Sequence, residues 1–298
     1  MANLRDIRRR IKSVKNTAQI TRAMQLVAAA KMKKAQDQAL AGRDYADLLN
    51  HVLVNLKENT GEDAHPLLQQ REGGKELVLV ISTDKGLCGA LNTNLGKKIR
   101  AEVPKDAEFV TVGRKLRNQL GKAGREMVAD FEVKDPVPFA EARPIAKFLT
   151  KAFLEGGYSK VSVAFSNYIN VMRQEPEIVQ LLPISTAALG EKQAYEGMGE
   201  GTVQETNRAA ALAKDYLFEP SGPEVLDTLL PLYINFQVYQ MLVESRASEH
   251  SARMVAMKGA TDNAKKFIKE LTLEYNKLRQ AAITAELLEI TTAMRAME

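Results

Sequence analysis

The distribution of proline is the feature of this sequence that most restricts its fold. All ten prolines lie between Pro66 and Pro231, which leaves an N-terminal end of 65 residues and a C-terminal end of 67 residues without proline. Proline removes a backbone donor and clashes with the preceding turn, so it interrupts most helix interiors. We therefore predict one long helix at each end and a separate domain between them. The three predicted segments are residues 1–65, 66–231 and 232–298.

Small and apolar residues of the C-terminal end repeat at alternating spacings of three and four. Such a repeat of 3.5 residues is typical of a left-handed coiled coil. The N-terminal end carries two similar stretches, and we predict a shift of register between them, around residues 20–27, which would locally alter the supercoil. The C-terminal repeat consists of Met254, Met257, Thr261, Ala264, Ile268, Leu271, Tyr275, Leu278, Ala282 and Ala285. The N-terminal stretches are Leu4, Ile7, Ile11, Val14 and Ala18, then Ala28, Met32, Ala35, Ala39, Gly42, Ala46, Leu49, Leu53 and Leu56.

Either pattern alone also fits an ordinary amphipathic helix of a compact bundle. Helices of about 50–60 residues would however be roughly 75–90 Å long, at 1.5 Å per residue. That length exceeds the width of a compact domain of this mass. Because one helix enters the central domain and the other leaves it, we predict that the two ends pair antiparallel and project from that domain as a coiled coil.

The central segment alternates strand and helix patterns. Residues 77–81 are a continuous apolar run, as expected for a strand that is buried on both faces. Further strands are predicted at 109–112, 127–133, 161–165 and 178–184, with helices at 91–103, 113–124, 144–154 and 205–218 and a loop over 185–204. Pro220-Ser221-Gly222-Pro223 predicts a break before the final helix. This alternation indicates a Rossmann-like α/β domain with a mostly parallel sheet.

Charge is concentrated at the N-terminus. Residues 1–34 hold ten Lys or Arg residues and one acid, Asp6. A basic surface of this kind can face nucleic acid, an anionic membrane or an acidic protein, and a solvated helix face is the simplest alternative. No apolar run approaches the ~18 residues of a membrane span. The single cysteine excludes an intramolecular disulfide.

The turn after the first predicted strand is the one place where a small-molecule site could form. Gly86-x-x-Gly89 can cradle a phosphate at a helix N-terminus, but it lacks the Gly-Lys-Ser/Thr ending of a P-loop, so a tight strand-to-helix turn is the simpler interpretation. Cys88 is interpreted as a packed thiol, and Asp84 with Lys85 as a solvated pair in the turn. The three histidines, His51, His65 and His250, are interpreted as surface or packing residues. We predict no catalytic residue, no cofactor and no metal site.

Three stretches in series resemble the gamma subunit of bacterial F-type ATP synthase. They are the N-terminus from Met1-Ala2-Asn3-Leu4-Arg5 through Ile20-Thr21-Arg22-Ala23-Met24 to Val27-Ala28-Ala29, the turn Ser82-Thr83-Asp84-Lys85-Gly86-Leu87-Cys88-Gly89, and the C-terminal stretches Arg253-Met254-Val255-Ala256-Met257-Lys258, Thr261-Asp262-Asn263, Asn276-Lys277 and Ile283-Thr284-x-Glu286-Leu287-x-Glu289-Ile290. The resemblance covers the whole chain in the same order. One departure is that Ala293-Met294 stands where the family has Gly-Ala, which favours helix there.

The resemblance implies a central-stalk rotor that couples proton flow to ATP synthesis or hydrolysis without chemistry of its own. The implied partners are three alpha and three beta subunits per gamma, the epsilon subunit and the ring of c subunits, with no nucleic acid. The implied location is peripheral, on the cytoplasmic face of the bacterial inner membrane. The residues that would contact the beta subunits map to Met24, Arg253, Gln280, Thr284 and Glu286.

Two other functions are compatible with parts of the sequence. A coiled-coil adaptor with a basic, nucleic-acid-binding end would use the charge of residues 1–34, although that stretch has no aromatic residue for stacking on bases. A small phosphate-binding α/β enzyme would use the Gly86-x-x-Gly89 turn. Arg253 and Glu286 can also be ordinary exposed helix charges.

Overall fold

The computed structural model describes residues 4–59, 65–71, 73–184 and 222–297. The elements in chain order are α1 (Leu4–Asn59), β1 (Lys75–Ile81), α2 (Leu91–Glu102), β2 (Glu108–Val112), α3 (Arg114–Lys122), β3 (Met127–Phe131), α4 (Phe139–Glu155), β4 (Tyr158–Tyr168), β5 (Gln174–Leu182) and α5 (Gly222–Met297). The chain divides into two compact units. Unit 1 comprises Met1–Ala28 and Met254–Glu298, and unit 2 comprises Ala29–Arg253.

The element pattern predicted from the sequence is confirmed, with shifts at the ends. The final helix begins at Gly222 and includes Pro231, whereas the predicted C-terminal segment starts at residue 232. Pro231 is the tenth residue of this 76-residue helix, beyond the first turn, so it removes one intrahelical hydrogen bond without ending the helix. The predicted loop at 185–204 and helix at 205–218 lie outside the described residues. The three-segment division of the chain remains a prediction.

Unit 2 contains a five-stranded sheet in the order β3-β2-β1-β4-β5. The first four strands are parallel, and β5 pairs antiparallel with β4 through partners such as Val163 and Val179. Residues 77–81 of the central strand β1 are at most 3% exposed, which confirms the prediction of a strand covered on both faces. The fold is therefore the α/β sheet that the sequence predicts, with one antiparallel edge strand.

Helices cover both faces of this sheet. Val78 and Val80 pack with residues of α2 and α3, including Leu95 and Leu116. The alternate residues of β1 face α4 and the portions of α1 and α5 that belong to unit 2. The core on that second face contains Leu77, Leu79, Ile145, Leu149, Phe153, Ala35, Ala39, Leu230, Ile234 and Leu242.

One stretch of α5 has no exposed face. The twelve consecutive residues 240–251 are all buried, including the charged residues Glu244, Arg246 and Glu249. An ordinary amphipathic helix would expose roughly half of these positions. The carboxyl ends of the parallel strands, α1 and the rest of unit 2 therefore enclose this part of α5.

In unit 1, α1 and α5 form the predicted coiled-coil seam. Ile7 is buried, with Leu4, Ile11, Val14 and Ala18 half-buried, and on α5 Met257, Thr261 and Ala264 are buried. Thr21 Oγ1 lies 2.7 Å from Thr261 Oγ1. From this pair, α1 continues to lower residue numbers and α5 to higher ones, with half-buried residues at 4–18 and 268–282. The two helices therefore run antiparallel in this unit, as predicted.

The predicted register shift around residues 20–27 is wrong. Thr21 is 9% exposed and Ala28 is 2% exposed, and with the half-buried positions 18 and 25 they continue the alternating spacing. The apolar side chains of this stretch point outward instead, with Ile20 60%, Leu26 58% and Val27 58% exposed. Polar Thr21 and Gln25 occupy seam positions where the repeat has apolar residues elsewhere, so the repeat is not visible in this part of the sequence.

The seam is also shorter at its end than predicted. Ala282 is half-buried but Ala285 is exposed. Unit 2 continues the N-terminal pattern through buried Ala35, Ala39 and Leu49 and half-buried Met32 and Gly42. The side chains of Ala46, Leu53 and Leu56 lie outside the described residues.

Candidate partner-contact surfaces

The last turns of α5 expose an unusual number of large apolar side chains. Residues 283–297, which we name the apolar C-terminal segment, are exposed throughout, and Ala282 is the last half-buried residue before them. Exposed apolar patches of this kind are typical of protein interaction sites. The exposed fractions are Ile283 49%, Leu287 58%, Leu288 60%, Ile290 56%, Met294 67% and Met297 90%.

The N-terminal part of α1 combines basic and apolar exposed residues. The basic residues Arg8, Arg9, Arg10, Lys12, Lys15 and Arg22 are all exposed. Ile20, Leu26 and Val27 are also exposed on this helix. The surface is therefore both charged and apolar, which is a composition that suits a protein partner.

A chain of ion pairs, which we name the charge cluster, lies at the carboxyl edge of the sheet in unit 2. Its central member is Arg246, whose side chain is 10% exposed. Arg246 donates from Nη1 to Glu249 Oε2 at 2.8 Å and from Nη2 to the Val133 carbonyl at 2.9 Å, and Nη2 lies 3.4 Å from Asp84 Oδ2. The cluster comprises Lys31, Asp84, Arg114, Asp135, Arg246, Glu249, His250 and Arg253.

Arg253 is the second cation held in this cluster. Its Nη2 donates to Glu249 Oε1 at 2.7 Å, and the guanidinium lies 3.4 Å from the Gly86 carbonyl and 3.5 Å from the Lys85 carbonyl. Its side chain is 12% exposed. The alternative that Arg253 is an ordinary exposed helix charge is therefore wrong.

Asp135 joins the cluster to α1. Its Oδ2 lies 2.7 Å from Lys31 Nζ and 3.2 Å from His250 Nε2. Interaction with His250, and secondarily with Lys31, holds the pKa of the Asp135 carboxyl well below its usual range against the opposing effect of burial. Burial by itself would lower the pKa of Arg246, but attraction and hydrogen bonding by Glu249, with smaller contributions from Asp84 and Asp135, raise it. The Asp135 carboxylate and the Arg246 guanidinium are therefore charged at neutral pH.

The turn at residues 84–89 is a tight connection held by its own side chains and by the charge cluster. Leu87 adopts a φ of 63° and is 60% exposed, and Gly89 has a φ of 60°. Asn92 Nδ2 donates to Thr83 Oγ1 at 2.8 Å and lies 3.3 Å from Cys88 Sγ, which is 3% exposed. The packed-thiol interpretation of Cys88 is confirmed. Asp84, predicted to form a solvated pair with Lys85, instead approaches Arg246 and Arg114.

Two kinds of site are missing from the described residues. Among residues 4–59, 65–71, 73–184 and 222–297, no group of three or more His, Cys, Asp or Glu side chains could hold a metal ion. Within the same ranges, no helix has both the length and the apolar character to cross a membrane.

Comparison with known proteins places these features in a family. The ATP synthase family profile matches residues 3–297. The ATP synthase gamma chain of Akkermansia muciniphila is 51% identical over 298 residues, which is 100% of both chains. The chain belongs to the ATP synthase gamma chain family. The fold also matches the rotor of the Euglena gracilis mitochondrial ATP synthase, with a TM-score of 0.64 and 19% identity over 94% of this chain and 98% of that chain.

A second solved structure is more similar in sequence. The Tetrahymena thermophila mitochondrial ATP synthase central stalk and c-ring structure contains a chain that matches with a TM-score of 0.58 and 25% identity, covering 81% of this chain and 99% of that chain. The resemblance stated from three sequence stretches is thus confirmed over the full length. The nucleic-acid adaptor finds no support in these comparisons.

The residues that the gamma-family resemblance marks as partner contacts fall into two groups. Gln280, Thr284 and Glu286 lie together on exposed turns of α5, and Thr284 Oγ1 donates to the Gln280 carbonyl at 3.0 Å. Met24, on α1 in the same unit, is half-buried beside the seam. Arg253 belongs to unit 2 and is held by the charge cluster. Their role as partner contacts remains a prediction.

Sequence reasoning about this gamma-family chain missed the charge cluster. Asp84 and Arg246 are 162 positions apart, and His250 looks like an isolated histidine in the sequence. The available signal was the run of residues 244–251, in which seven of eight residues are polar or charged, in a helix whose residues 241–243 and 254–257 are apolar. Buried charges in a helix generally need partners from other elements.

Proposed function

We propose that this chain is the central-stalk rotor subunit of an F-type ATP synthase, which couples transmembrane proton flow to ATP synthesis or hydrolysis. The observation that carries the proposal is the full-length similarity to ATP synthase gamma chains, at 51% identity over the whole of both chains. The antiparallel seam of unit 1 and the exposed apolar C-terminal segment support it. Both features suit a helical pair that is surrounded by partner subunits.

The partners in this proposal are three alpha and three beta subunits, one epsilon subunit and the c-ring. The alpha and beta subunits would surround the coiled coil and carry out catalysis, while this chain contributes contacts without chemistry. The location would be peripheral, at the cytoplasmic face of the inner membrane. The exposed basic residues of α1 suit acidic surfaces on the surrounding subunits.

The mechanism requires that one chain act differently on three equivalent subunits. The seam pairs two different helices, so the coiled coil presents a different set of side chains in each direction. Leu26 and Val27 are exposed on α1, whereas Gln280 and Glu286 are exposed on α5. A subunit that meets one face is therefore biased toward a different conformation from a subunit that meets another.

The energies involved are consistent with such a mechanism. Changing a two-state subunit from 1:99 to 99:1 requires about 5.5 kcal/mol of differential contact energy. Moving one elementary charge through 100 mV supplies about 2.3 kcal/mol, so several protons per step suffice. We propose that Met24, Arg253, Gln280, Thr284 and Glu286 provide part of the differential contact.

The proposal is tested by purification from membranes. A tagged full-length chain, expressed in the organism from which it comes, should co-purify with alpha and beta subunits in a ratio of three alpha to three beta to one tagged chain, together with epsilon and c subunits. A tagged Leu271→Pro variant provides the matched control, because it interrupts the seam and should recover much less of the complex. Recovery of the wild-type chain alone, or with RNA that is released by salt, would contradict the proposal and favour the adaptor.

A further inference from the structure

We propose that His250 is a positioning residue, whose neutral imidazole acts together with Glu249 to hold the Arg253 guanidinium against the turn at residues 84–89 and whose protonation moves the guanidinium away from that turn. The hold itself is a property of unit 2 and is independent of any partner. Its consequence for energy coupling rests on the proposed function, because Arg253 is one of the residues assigned to contact the beta subunits.

The geometry around His250 gives each ring nitrogen a different neighbour. His250 is 3% exposed. Its Nδ1 lies 3.4 Å from Arg253 Nη1. Its Nε2 lies 3.2 Å from Asp135 Oδ2, at ion-pair distance but outside hydrogen-bond geometry. The imidazole therefore stands between a guanidinium and a carboxylate.

This arrangement determines which tautomer fits. An arginine guanidinium has donors and no acceptor, so Nδ1 can face Arg253 favourably only when it carries a lone pair. The proton of the neutral ring is then on Nε2, toward Asp135. Protonation adds a second N–H, directed at the guanidinium, and replaces an attraction by a repulsion between two cations. The same protonation strengthens the attraction between the ring and Asp135.

The charged groups of the charge cluster come from α1, the turn after β1, α3, the segment after β3 and α5 itself. Besides His250, four are cationic and three are anionic: Lys31, Arg114, Arg246 and Arg253, with Asp84, Asp135 and Glu249. Asp135 and Arg253 are the two that lie against the ring nitrogens. Histidine as a residue type changes charge between about pH 5 and 8, so measurements at pH 8 and at pH 5.5 test the exchange.

The turn at residues 84–89 contains a cysteine whose reactivity can report whether Arg253 holds the turn. The guanidinium lies 3.4 Å from the Gly86 carbonyl, and Cys88, two residues later, is 3% exposed. Cys88 is the single cysteine of the chain. If Arg253 is released from the Lys85 and Gly86 carbonyls, the turn keeps the contact of Asp84 with Arg246 but loses the contact with α5 that is closer in sequence to Cys88, and we expect the thiol to become more accessible. The reaction rate of Cys88 with a thiol reagent therefore measures the hold directly.

The matched variant is His250→Gln. Glutamine can accept a hydrogen bond from Arg253 and donate one to Asp135, but it does not titrate. The full-length chain and the variant are labelled with 4,4′-dithiodipyridine at pH 8 and at pH 5.5. Because both proteins carry the same thiol, the ratio of wild-type rate to variant rate cancels the pH dependence of the reagent. We expect a ratio of about 1 at pH 8 and a ratio of about five or more at pH 5.5.

A ratio that stays near 1 at pH 5.5 would overturn the proposal. Arg253→Met provides a test that does not require the glutamine variant to fold. Without the guanidinium, Cys88 should react faster than in wild type at pH 8, and wild type should approach the rate of this variant as the pH falls. Equal rates for wild type and Arg253→Met at pH 8 would show that Arg253 does not hold the turn, and would also overturn the proposal.

The consequence for coupling is measured in the assembled complex. The protons pumped per ATP hydrolysed should be equal for wild type and His250→Gln at pH 8, and lower for wild type than for the variant at pH 6. If the thiol labelling behaves as expected but pumping does not differ, the positioning role of His250 stands and the assignment of Arg253 as a coupling contact fails. The two proposals can therefore fail separately.

Discussion

Thr21 Oγ1 and Thr261 Oγ1 lie 2.7 Å apart in the interior of the unit 1 coiled coil. Thr261 also bonds to the Met257 carbonyl at 2.8 Å and Thr21 to the Ala18 carbonyl at 3.1 Å. Each hydroxyl has one hydrogen, so one threonine donates across the seam and the other donates to its own helix. A polar pair at one level of an apolar seam fixes the register, because a slip of one heptad would leave both hydroxyls without each other.

The first prediction concerns this pair. Thr21→Val should lower the free energy of unfolding of the full chain by about 0.5–1.5 kcal/mol, because it removes one buried hydrogen bond. The double variant with Thr261→Val should lose less than the sum of the two single variants, since no hydroxyl is then left without its partner. Urea unfolding measures all three variants. Thr17→Val is the matched control, because exposed Thr17 makes a similar bond to the Ser13 carbonyl at 3.1 Å and has no partner across the seam.

The second prediction concerns the half-buried Met24. Met24→Lys should weaken the coupling between proton transport and ATP synthesis while leaving assembly largely intact, because it adds a charge beside the seam where a partner is proposed to bind. ATP formed per proton transported is the measurement. Gln19→Lys adds the same charge at an exposed position of α1 and should have little effect. An unchanged ATP yield in Met24→Lys would count against the proposed contact.

The third prediction concerns the continuity of α5. Leu271→Pro should destabilise the seam by about 3 kcal/mol or more, because proline removes a helix hydrogen bond and clashes with the preceding turn. Recovery of the assembled complex should fall accordingly. Leu273 is 71% exposed on the same helix, so Leu273→Ala should assemble normally. Normal recovery of the Leu271→Pro complex would refute the role of the seam in assembly.

The fourth prediction concerns acid stability. The pKa of Asp135 is lowered in the folded chain, by His250 first and then by Lys31, from about 3.9 in an unfolded chain. A carboxyl with a depressed pKa contributes stability that is fully present above its unfolded pKa and is lost as the pH falls toward its folded value. Asp135→Asn should therefore be less stable than wild type at pH 6, and the difference should shrink below about pH 4.

Urea unfolding at several pH values tests this prediction on the full chain. Asp106→Asn, at an exposed turn, is the matched control and should follow the wild-type curve. A constant difference between wild type and Asp135→Asn from pH 6 down to pH 2 would show that Asp135 is not a source of the acid sensitivity.

The sequence predicts those parts of the fold in which one residue type repeats at a fixed spacing. The apolar run at 77–81 predicts the central strand because every residue of that strand is covered on both faces. The 3.5-residue repeat predicts the coiled coil because its positions recur on the side of each helix that faces the other, and the antiparallel pairing follows from one helix entering the central domain and the other leaving it. The repeat fails as a guide between residues 20 and 27, because Thr21 occupies a seam position while Ile20 is 60% exposed. A hydroxyl that finds a partner across the seam packs there as readily as an apolar side chain.

The candidate site was less predictable than the fold. The contact residues Gln280, Thr284 and Glu286 follow from family resemblance alone, because exposed polar residues carry no pattern of their own. The charge cluster depends on contacts between distant segments, such as Lys31 with Asp135, 104 positions apart. Only the tertiary structure brings these groups together, so spacing along the chain could not reveal them.

The enclosure of residues 240–251 has a mechanical consequence for unit 2. A helix with one solvent-exposed face can rotate about its own axis, because one row of side-chain contacts can be replaced by the next. This stretch cannot do so, since any roll would move Arg246 and Glu249 away from their counter-charges and drive Leu242 out of the core. A torque applied to residues 240–251 of α5 is therefore transmitted to the sheet, because the helix cannot rotate relative to it.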